Sequence, residues 1–472
     1  MNLLYAFQSH VAAHPDRIAL VDPKGRQWTY AALDRRGQAL AAHFRRKGLR
    51  RGDRVLLALG VDADLYAALA ALWRLGAVAV LPEPALGLAG IRRALELTQP
   101  KAALLGGIYR VLPWIVPPLR RVDLQLRLRT GANRMATCED LPPDAPALIS
   151  FTTGSTGAPK AIVRSHGFMQ AQDAAVAPLI GAGGRLEVDL VGFPVFVVAN
   201  LGQGITSVLP DWPARKLHEA SGKRIARLIK RHNVTRLLLN PELVMRLADH
   251  GVPQGVRAVF TGGGPVFPDT IRKIRDARSD LDLVAIYGST EAEPIAEISA
   301  SEISPDDFAA MLDGKGLLAG RPVAGARVRI VEDEIQVSGE HVVKGYLDAS
   351  RDVETKVRDA DDVLWHRTGD AGYLDQQGRL WLLGRLGAKV GSLWPFAIET
   401  AARSWPGVHR AALIAVDGAP VLALEGDQHH SADWRSRAEA FGIASTVSLR
   451  AIPMDKRHGS KVDLARLQKF LS

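Results

Sequence analysis

An α/β fold with doubly wound mixed sheets in a large N-terminal domain is the fold class that the sequence predicts. Strand-like and helix-like patterns alternate through the first 145 residues. The strand-like runs at 55–59 and 77–82 are almost uniformly apolar, which favours parallel strands with helices on both faces. The chain has 472 residues, 47% of them hydrophobic, which suits a sizeable core in one large and one small unit.

The elements follow in order along the chain. Helix-like patterns span 3–12, 33–49, 62–75 and 225–232. Strand-like patterns span 18–21, 55–59, 77–82, 122–129, 186–196, 205–209, 235–239, 256–260, 283–286, 334–339, 342–346 and 379–383. The segment at 186–196 begins by alternating and then becomes apolar, and the Gly-rich turn at 202–204 follows it.

Composition and charge exclude several classes of protein. Cys138 is the single cysteine, so a disulfide framework and a cysteine-rich metal site are excluded and a reducing cytoplasm fits. We expect no signal peptide and no membrane span, because no run of about 18 apolar residues occurs. The net charge of +10 has two interpretations. One is an acidic partner and the other is a solvated basic face, but no nucleic-acid motif accompanies the charge.

A polar, glycine-containing loop follows the apolar run at 147–149. Glycines allow backbone amides to turn inward around an anion, and hydroxyls and a lysine add donors and charge, so the loop suits phosphate. An ordinary polar surface turn is the alternative. The residues concerned are Thr152, Thr153, Gly154, Ser155, Thr156, Gly157 and Lys160.

Two further motifs follow strands. The run Gly262, Gly263, Gly264, Pro265 leaves room for a flat ring to approach the backbone, although a tight strand-to-helix turn explains it equally well. The run at 287–291 reads Tyr-Gly-Ser-Thr-Glu. With the loop at 151–160, it resembles the motifs of the adenylate-forming superfamily, which includes acyl-CoA synthetases, peptide-synthetase adenylation domains and luciferases.

The resemblance extends over nearly the whole chain and implies a site for ATP and Mg²⁺. It implies that the segment 262–265 contacts adenine together with Tyr287, Gly288 and Ser289. It implies further roles for Thr290 on the α-phosphate, Glu291 on Mg²⁺, Asp370 on the ribose hydroxyls, Arg385 on ribose or phosphate, and Lys461 on the attacked phosphate. Phe193, Phe196 and His166 are candidates for the substrate pocket.

The resemblance also implies the domain organisation. Residues 1–385 would form the large adenylation domain, with a small β-barrel-like subdomain near 320–385. Residues 386–472 would form a small mobile α+β lid. Gly387 stands where most members have Asp or Lys at the hinge, and the usual Gly-x-Arg-Ile segment is absent after Lys389. That segment lines the pantetheine tunnel of thioester-forming members, so a requirement for CoA is uncertain.

Near the C-terminus, Asp455-x-Arg457-His458-x-x-Lys461 replaces the common superfamily pattern. This variant, with Ala-Glu-Pro at 292–294, resembles the β-lactone synthetases of bacterial olefin biosynthesis. The resemblance implies a carboxylic acid activated as acyl-AMP with release of pyrophosphate, then closure of a 3-hydroxy acid to a β-lactone. His458 and His166 are candidate proton acceptors. An acid–thiol ligase serving CoA or an acyl carrier protein, and a nucleotide-binding scaffold in a multi-enzyme assembly, are the alternatives.

Overall fold

A computed structural model describes residues 2–83, 86–128, 136–153, 159–455 and 459–471. Twenty-three strands in this part of the chain form three sheets. They are β1 (Ile18–Val21), β2 (Gln27–Thr29), β3 (Arg54–Ala58), β4 (Val78–Leu81), β5 (Ala102–Leu105), β6 (Leu124–Leu126), β7 (Pro146–Thr153), β8 (Pro159–Ser165), β9 (Val188–Val191), β10 (Thr206–Val208), β11 (Arg236–Leu239), β12 (Ala258–Gly262), β13 (Asp282–Ser289), β14 (Ala292–Ser299), β15 (Leu317–Pro322), β16 (Arg327–Val331), β17 (Glu334–Ser338), β18 (Lys356–Arg358), β19 (Leu364–Leu374), β20 (Leu380–Arg385), β21 (Val408–Val416), β22 (Ala419–Gly426) and β23 (Ser445–Leu449).

Helices cover the sheets, and several begin at a side chain that caps free backbone amides. Thr29, Ser165 and Asn240 each accept a hydrogen bond from the first turn of the helix that follows. The α-helices are α1 (Leu4–Ala13), α2 (Tyr30–Arg46), α3 (Ala63–Arg74), α4 (Gly87–Thr98), α5 (Leu112–Ile115), α6 (His166–Ile180), α7 (Pro194–Gln203), α8 (Gly222–His232), α9 (Pro241–His250), α10 (Pro268–Ala277), α11 (Pro305–Leu312), α12 (Asp352–Thr355), α13 (Pro395–Ala402), α14 (Ser431–Ala440) and α15 (Leu464–Leu471). None of the described helices is long and apolar enough to cross a membrane.

Two sheets build the N-terminal part of the molecule. The smaller has the order β6-β5-β3-β4-β7-β8 and is parallel except for the hairpin of β7 and β8. The larger runs in parallel from β1 through β10, β9, β11 and β12 to β13. The helices α2 and α3 pack on each other within one apolar core shared with both sheets. The predicted α/β class with doubly wound mixed sheets is confirmed.

The strands that were expected to form a barrel-like subdomain extend the large sheet. From β13 onward the pairing becomes antiparallel, in the order β13-β14-β15-β20-β19-β17-β16, with β18 paired to β19. The expected hairpin strand at 342–346 is instead an irregular segment with isolated bridges from Val342 to Ala292 and from Tyr346 to Ile162. These bridges hold Tyr346 beside the phosphate-loop hairpin.

Beyond β20 the chain forms a separate small unit. The sheet β21-β22-β23 packs with α13 and α14 on one core and with α15 on another. The boundary at 385–386 and the mobility of this unit stay predictions.

One helix was misread from the sequence. The strand expected over 186–196 ends at Val191, and Pro194 opens α7 at its first helical position. Proline is well suited to that position because its φ is already helical and the first amide needs no partner. The helix ends at Gly204, whose φ of 75° supplies the left-handed cap.

Candidate active site

A cavity of about 1100 Å³ lies between the large sheet and the C-terminal unit. Its wall brings together residues from three distant motifs and the C-terminal tail, as the sequence predicted. The predicted site residues that line it are Lys160, Gly263, Gly264, Pro265, Tyr287, Gly288, Ser289, Thr290, Glu291, Asp370, Arg385 and Lys461. Because these residues line one cavity, a single ligand could contact all of them. Their individual roles stay predictions.

The motif at 287–291 occupies a tight hairpin between β13 and β14. The strand β13 continues through Ser289, and β14 begins at Ala292, so Thr290 and Glu291 sit at the turn. A Cβ at Gly288 would come within 3.0 Å of the Ala292 carbonyl oxygen, so glycine allows the close approach. The hairpin presents the side chains of Thr290 and Glu291 to the cavity.

A carboxylate links the hairpin to the antiparallel strands. The Tyr287 hydroxyl donates to Asp370 Oδ2 at 2.8 Å, and Arg385 Nη1 donates to Asp370 Oδ1 at 2.9 Å. Desolvation of Tyr287 and the nearby Asp370 charge raise the pKa of its hydroxyl, so Tyr287 remains a neutral donor. The carboxylate is thereby held in one orientation at the cavity wall, where it can accept hydrogen bonds from ribose hydroxyls.

Glu291 has a partner that the sequence reasoning missed. The Tyr346 hydroxyl donates to Glu291 Oε1 at 3.0 Å, and Lys160 Nζ lies 5.2 Å from the centre of the Tyr346 ring. Tyr346 thus orients the carboxylate and contacts the lysine by a cation–π interaction. The two residues are 55 positions apart in the chain. Because only the irregular course of 342–346 brings them together, no local sequence pattern could reveal the pair.

Arg164 is a second residue that the sequence reasoning missed. Its side chain is 5% exposed, and Nη2 donates to the Thr290 carbonyl oxygen at 2.8 Å. Burial lowers the pKa of Arg164, and the charges of Glu293 and Glu291 oppose that effect. A buried cation therefore supports the hairpin turn from behind, and it compensates the two carboxylates that the turn carries.

The glycine run packs against its neighbours too closely for side chains. A Cβ at Gly262 would lie 2.5 Å from the Ile286 carbonyl oxygen, and one at Gly264 would lie 2.4 Å from Ser460 Oγ. Both distances are far shorter than ordinary contacts. The tail segment that carries Lys461 is therefore seated directly on this turn.

The tail forms a small hairpin of its own. Met454 and Val462 pair as an antiparallel bridge. The Asp455 amide donates to the Lys461 carbonyl oxygen at 2.8 Å, and the Lys461 amide donates to the Asp455 carboxylate Oδ1 at 3.1 Å. The arrangement fixes the backbone at Lys461 while its exposed side chain lines the cavity. The predicted candidate His458 lies outside the described residues.

A second, smaller cavity adjoins the first at Gly263 and Gly288. It measures about 30 Å³ and is mostly apolar, and the rings of Phe193 and Phe196 meet edge-on across it with centroids 6.0 Å apart. Two polar side chains also line it. They are Glu293 and Thr261, whose buried hydroxyl has no hydrogen-bond partner in the part of the chain that the structure describes.

His166 is not a pocket residue, contrary to the prediction. It is fully buried at the start of α6, and its Nδ1 accepts a hydrogen bond from the Leu3 amide at 3.2 Å. Burial, and to a lesser degree the N-terminal amine, lowers its pKa to about 4. It lines neither of the two cavities. An imidazole suits this place because it can accept from the N-terminal backbone.

The predicted phosphate loop is described at its two ends. Thr152 and Thr153 end β7, and Lys160 lies in β8 with its side chain 8% exposed. The predicted residues Gly154, Ser155, Thr156 and Gly157 lie outside the described residues.

The profile of the AMP-binding enzyme family matches residues 7–347. The chain belongs to this family. Olefin beta-lactone synthetases from Stenotrophomonas maltophilia and Xanthomonas campestris are both 30% identical to it, over 94% and 96% of this chain and 91% and 94% of their own lengths. The 2-succinylbenzoate–CoA ligase of Bacillus licheniformis is 26% identical over 85% of this chain and 84% of its own length.

Solved structures agree with this assignment at the level of the fold. O-succinylbenzoate coenzyme A synthetase from Bacillus subtilis, in complex with AMP, superposes with a TM-score of 0.80 at 22% identity, covering 99% of this chain and 98% of the other. ATP-bound MatB from Rhodopseudomonas palustris gives 0.83 at 20% identity, covering 100% and 99%. The protein is an AMP-forming, acyl-adenylate-forming ligase.

The cavity of this AMP-binding enzyme contains polar groups that suit a charged ligand. The buried hydroxyls of Ser289 and Ser460 line it and lack hydrogen-bond partners among the described residues. Buried hydroxyls without partners are uncommon, and an oxygen-rich ligand would satisfy them. Glu291 is a hard oxygen ligand on the same wall. Mg²⁺ typically takes one or two protein carboxylates together with substrate phosphates and water, so this donor set fits Mg²⁺ on a triphosphate.

Proposed function

We propose that this AMP-binding enzyme activates a 3-hydroxy carboxylic acid with ATP and closes the acyl-adenylate to a β-lactone. The observation that supports it best is the pair of adjoining cavities. The large one carries the nucleotide motifs and the tail lysine, and the small one is apolar apart from Glu293 and Thr261. An apolar acyl chain with a single hydroxyl near its carboxylate matches this distribution of polar groups. The 30% identity to olefin beta-lactone synthetases points the same way.

Adenylation requires positioning and charge screening more than covalent chemistry. A carboxylate oxygen of the acid attacks the α-phosphorus of ATP, and pyrophosphate leaves. Asp370 holds the ribose, Tyr287 lies beside the adenine, and Lys160 and Lys461 screen phosphate charge. Glu291 would hold Mg²⁺, which when bound neutralises charge on the triphosphate.

Ring closure uses the substrate's own hydroxyl. The 3-hydroxyl oxygen attacks the activated carbonyl carbon, the carbon–oxygen bond to AMP breaks, and AMP leaves as the phosphate anion. The proton of the 3-hydroxyl needs an acceptor, and we assign this role to the Glu293 carboxylate. Before the attack, the Thr261 hydroxyl would donate a hydrogen bond to the 3-hydroxyl oxygen of the substrate. Both groups line the acyl cavity, whereas His166 does not. Glu293 belongs to the Ala-Glu-Pro run that resembles the β-lactone synthetases, but the sequence alone gives no role to either residue.

The acyl cavity must open to admit a chain. A volume of about 30 Å³ holds roughly one water molecule. The rings of Phe193 and Phe196 are only half-buried and meet edge-on, so rotation of either ring would enlarge the cavity. These two residues are therefore proposed to set which acyl chains enter.

A thiol ligase that serves CoA is the second candidate, and the 26% identity to a 2-succinylbenzoate–CoA ligase favours it. The segment that usually lines the pantetheine tunnel is remodelled here. Lys389 Nζ lies 3.5 Å from Asp333 and 4.3 Å from the centre of the Trp394 ring, and Val390 pairs with Leu393. The ion pair joins the segment to Asp333 of the large domain, whereas the other two contacts lie within the segment.

The experiment compares products with and without thiol. The enzyme is incubated with ATP, Mg²⁺ and a panel of 3-hydroxy acids, and the matched control substrates are the same acids without the hydroxyl. We expect mass spectrometry to detect, in the absence of CoA, a product lighter than the hydroxy acid by one water. The deoxy acids should release pyrophosphate slowly and yield no such product. Conversion only when thiol is added would support the ligase instead.

A further inference from the structure

One surface segment combines exposed apolar side chains with positive charge. Residues 107–121 form a short helical strap, in which 3₁₀ turns at Gly107–Val111 and Pro117–Arg121 flank α5. Four large apolar side chains on the strap point to solvent. Their exposed fractions are 72% for Ile108, 55% for Val111, 78% for Trp114 and 48% for Ile115. Clusters of this kind on soluble proteins mark interaction sites.

The strap is firmly anchored, so its exposure does not reflect poor packing. Leu112, Val116 and Leu119 are at most 5% exposed and belong to the core formed with α4, β7 and β8. The Arg120 side chain also joins the second 3₁₀ turn to α5 on the solvent-facing side of the strap, because its Nε donates to the Pro113 carbonyl oxygen at 2.7 Å. Apolar residues therefore face both the core and the solvent, and among the residues that the structure describes only the inner face has a partner.

The charge on the strap is of one sign. Residues 107–121 contain Arg110, Arg120 and Arg121 and no Asp or Glu, within a chain of net charge +10. The Arg120 guanidinium lies 4.9 Å from the centre of the Trp114 ring, so cation and aromatic ring form one unit. Tryptophan and branched aliphatic side chains beside arginines are typical of segments that lie in the interface of a lipid bilayer.

We infer that this strap is a peripheral membrane-binding surface that inserts Trp114 and Ile108 at the level of anionic phospholipid headgroups. The arginines would contact the headgroup phosphates, and the apolar side chains would enter the boundary of the acyl region. A bilayer fits better than an acidic protein because the most exposed groups are apolar and aromatic, and because the arginines flank them. The strap lines neither cavity, so this inference does not depend on the proposed reaction.

The test is vesicle flotation of the full-length protein at 0.1 M salt. Vesicles of phosphatidylcholine alone are compared with vesicles containing phosphatidylglycerol. We expect the wild type to float with the anionic vesicles and to bind them about tenfold more tightly than the neutral ones. The double variant Ile108→Ser/Trp114→Ser should lose about tenfold in binding. The double variant Arg110→Glu/Arg121→Glu should lose at least as much; both positions are exposed, and the Arg120 hydrogen bond that holds the strap stays in place.

Leu186→Ser is the matched control, because Leu186 is 74% exposed outside the strap. It should bind vesicles like the wild type. All variants should adenylate a short, water-soluble acid at the wild-type rate, which checks that they are folded. Absence of wild-type binding to anionic vesicles would overturn the inference. So would equal loss in Leu186→Ser, a dimer that dissociates in Ile108→Ser/Trp114→Ser, or strap-dependent binding of an acidic carrier protein without vesicle binding.

Discussion

Gly264→Ala tests whether the tail segment seats Lys461 through its contact with the glycine run. The new Cβ would lie 2.4 Å from Ser460 Oγ and 2.9 Å from Ser460 Cβ, whereas ordinary contacts begin at 3.4 Å. Rotation of the hydroxyl relieves only the first overlap, so the tail must still move by about 0.5 Å, and by about 1 Å if the hydroxyl keeps its place. A displacement of about 1 Å in a catalytic group can cost about 100-fold, equivalent to about 2.7 kcal/mol in the barrier. Gly264 has no left-handed φ, so alanine adds no backbone strain.

The assay is pyrophosphate release with ATP, Mg²⁺ and a 3-hydroxy acid. We expect kcat to fall about 100-fold in Gly264→Ala, with a small change in Tm. The second substitution Ser460→Gly removes both clashing atoms and leaves only a carbonyl oxygen at 3.5 Å, so the double variant should recover most of the activity. Gly255→Ala is the control, because its nearest atom would be 3.9 Å away. Normal turnover by Gly264→Ala, or no recovery in the double variant, would refute this reasoning.

Three further predictions concern single side chains. Asp370→Ala should raise the KM for ATP about 100-fold, because charge-assisted hydrogen bonds to ribose are lost; an unchanged KM in steady-state kinetics would remove Asp370 from the nucleotide site. In single-turnover assays, Glu293→Gln should keep the first-turnover burst of pyrophosphate release within about threefold of the wild-type rate while lactone formation falls about 100-fold or more, and equal loss of both single-turnover rates would contradict its role as proton acceptor. Burial raises the pKa of Glu399 from 4.5 to about 7. Between pH 4.5 and about 7 the folded state therefore holds a proton that the unfolded state has lost. The free energy of unfolding falls as the pH rises through this range. Glu399→Gln should remove about 2–3 kcal/mol of this pH dependence in urea titrations between pH 5 and 8, and an unaltered slope would show that another group titrates.

The sequence predicted the parts of the site that short motifs encode. The motifs at 287–291 and 262–265 were placed correctly at the ends of strands, although β13 continues through Ser289 and β12 includes Gly262. Uniformly apolar runs followed by polar or glycine residues indicate the ends of buried strands. The convergence of these motifs with Lys461 on one cavity was also predicted. That prediction rested on the superfamily resemblance, because spacing alone does not bring residues so far apart in the chain together.

What the sequence missed depends on tertiary packing. The apolar run Val-Phe-Val-Val at 195–198 fits a strand and a helix equally well, and only Pro194 indicated the helix. Tyr346 meets Glu291 because an irregular segment crosses the sheet, which no periodicity reveals. His166 lies next to a conspicuous loop in sequence, but its side chain points back to the N-terminal backbone.

An oxygen-18 experiment on the carboxylate tests the central claim most directly. A 3-hydroxy acid labelled in both carboxylate oxygens is incubated with the enzyme, ATP and Mg²⁺ in the absence of thiol. If the acid attacks the α-phosphorus and the 3-hydroxyl then closes the ring, one label will appear in AMP. The other will remain in a product lighter than the labelled acid by one labelled water. AMP without label, label in inorganic phosphate, or recovery of the unchanged acid would contradict the account.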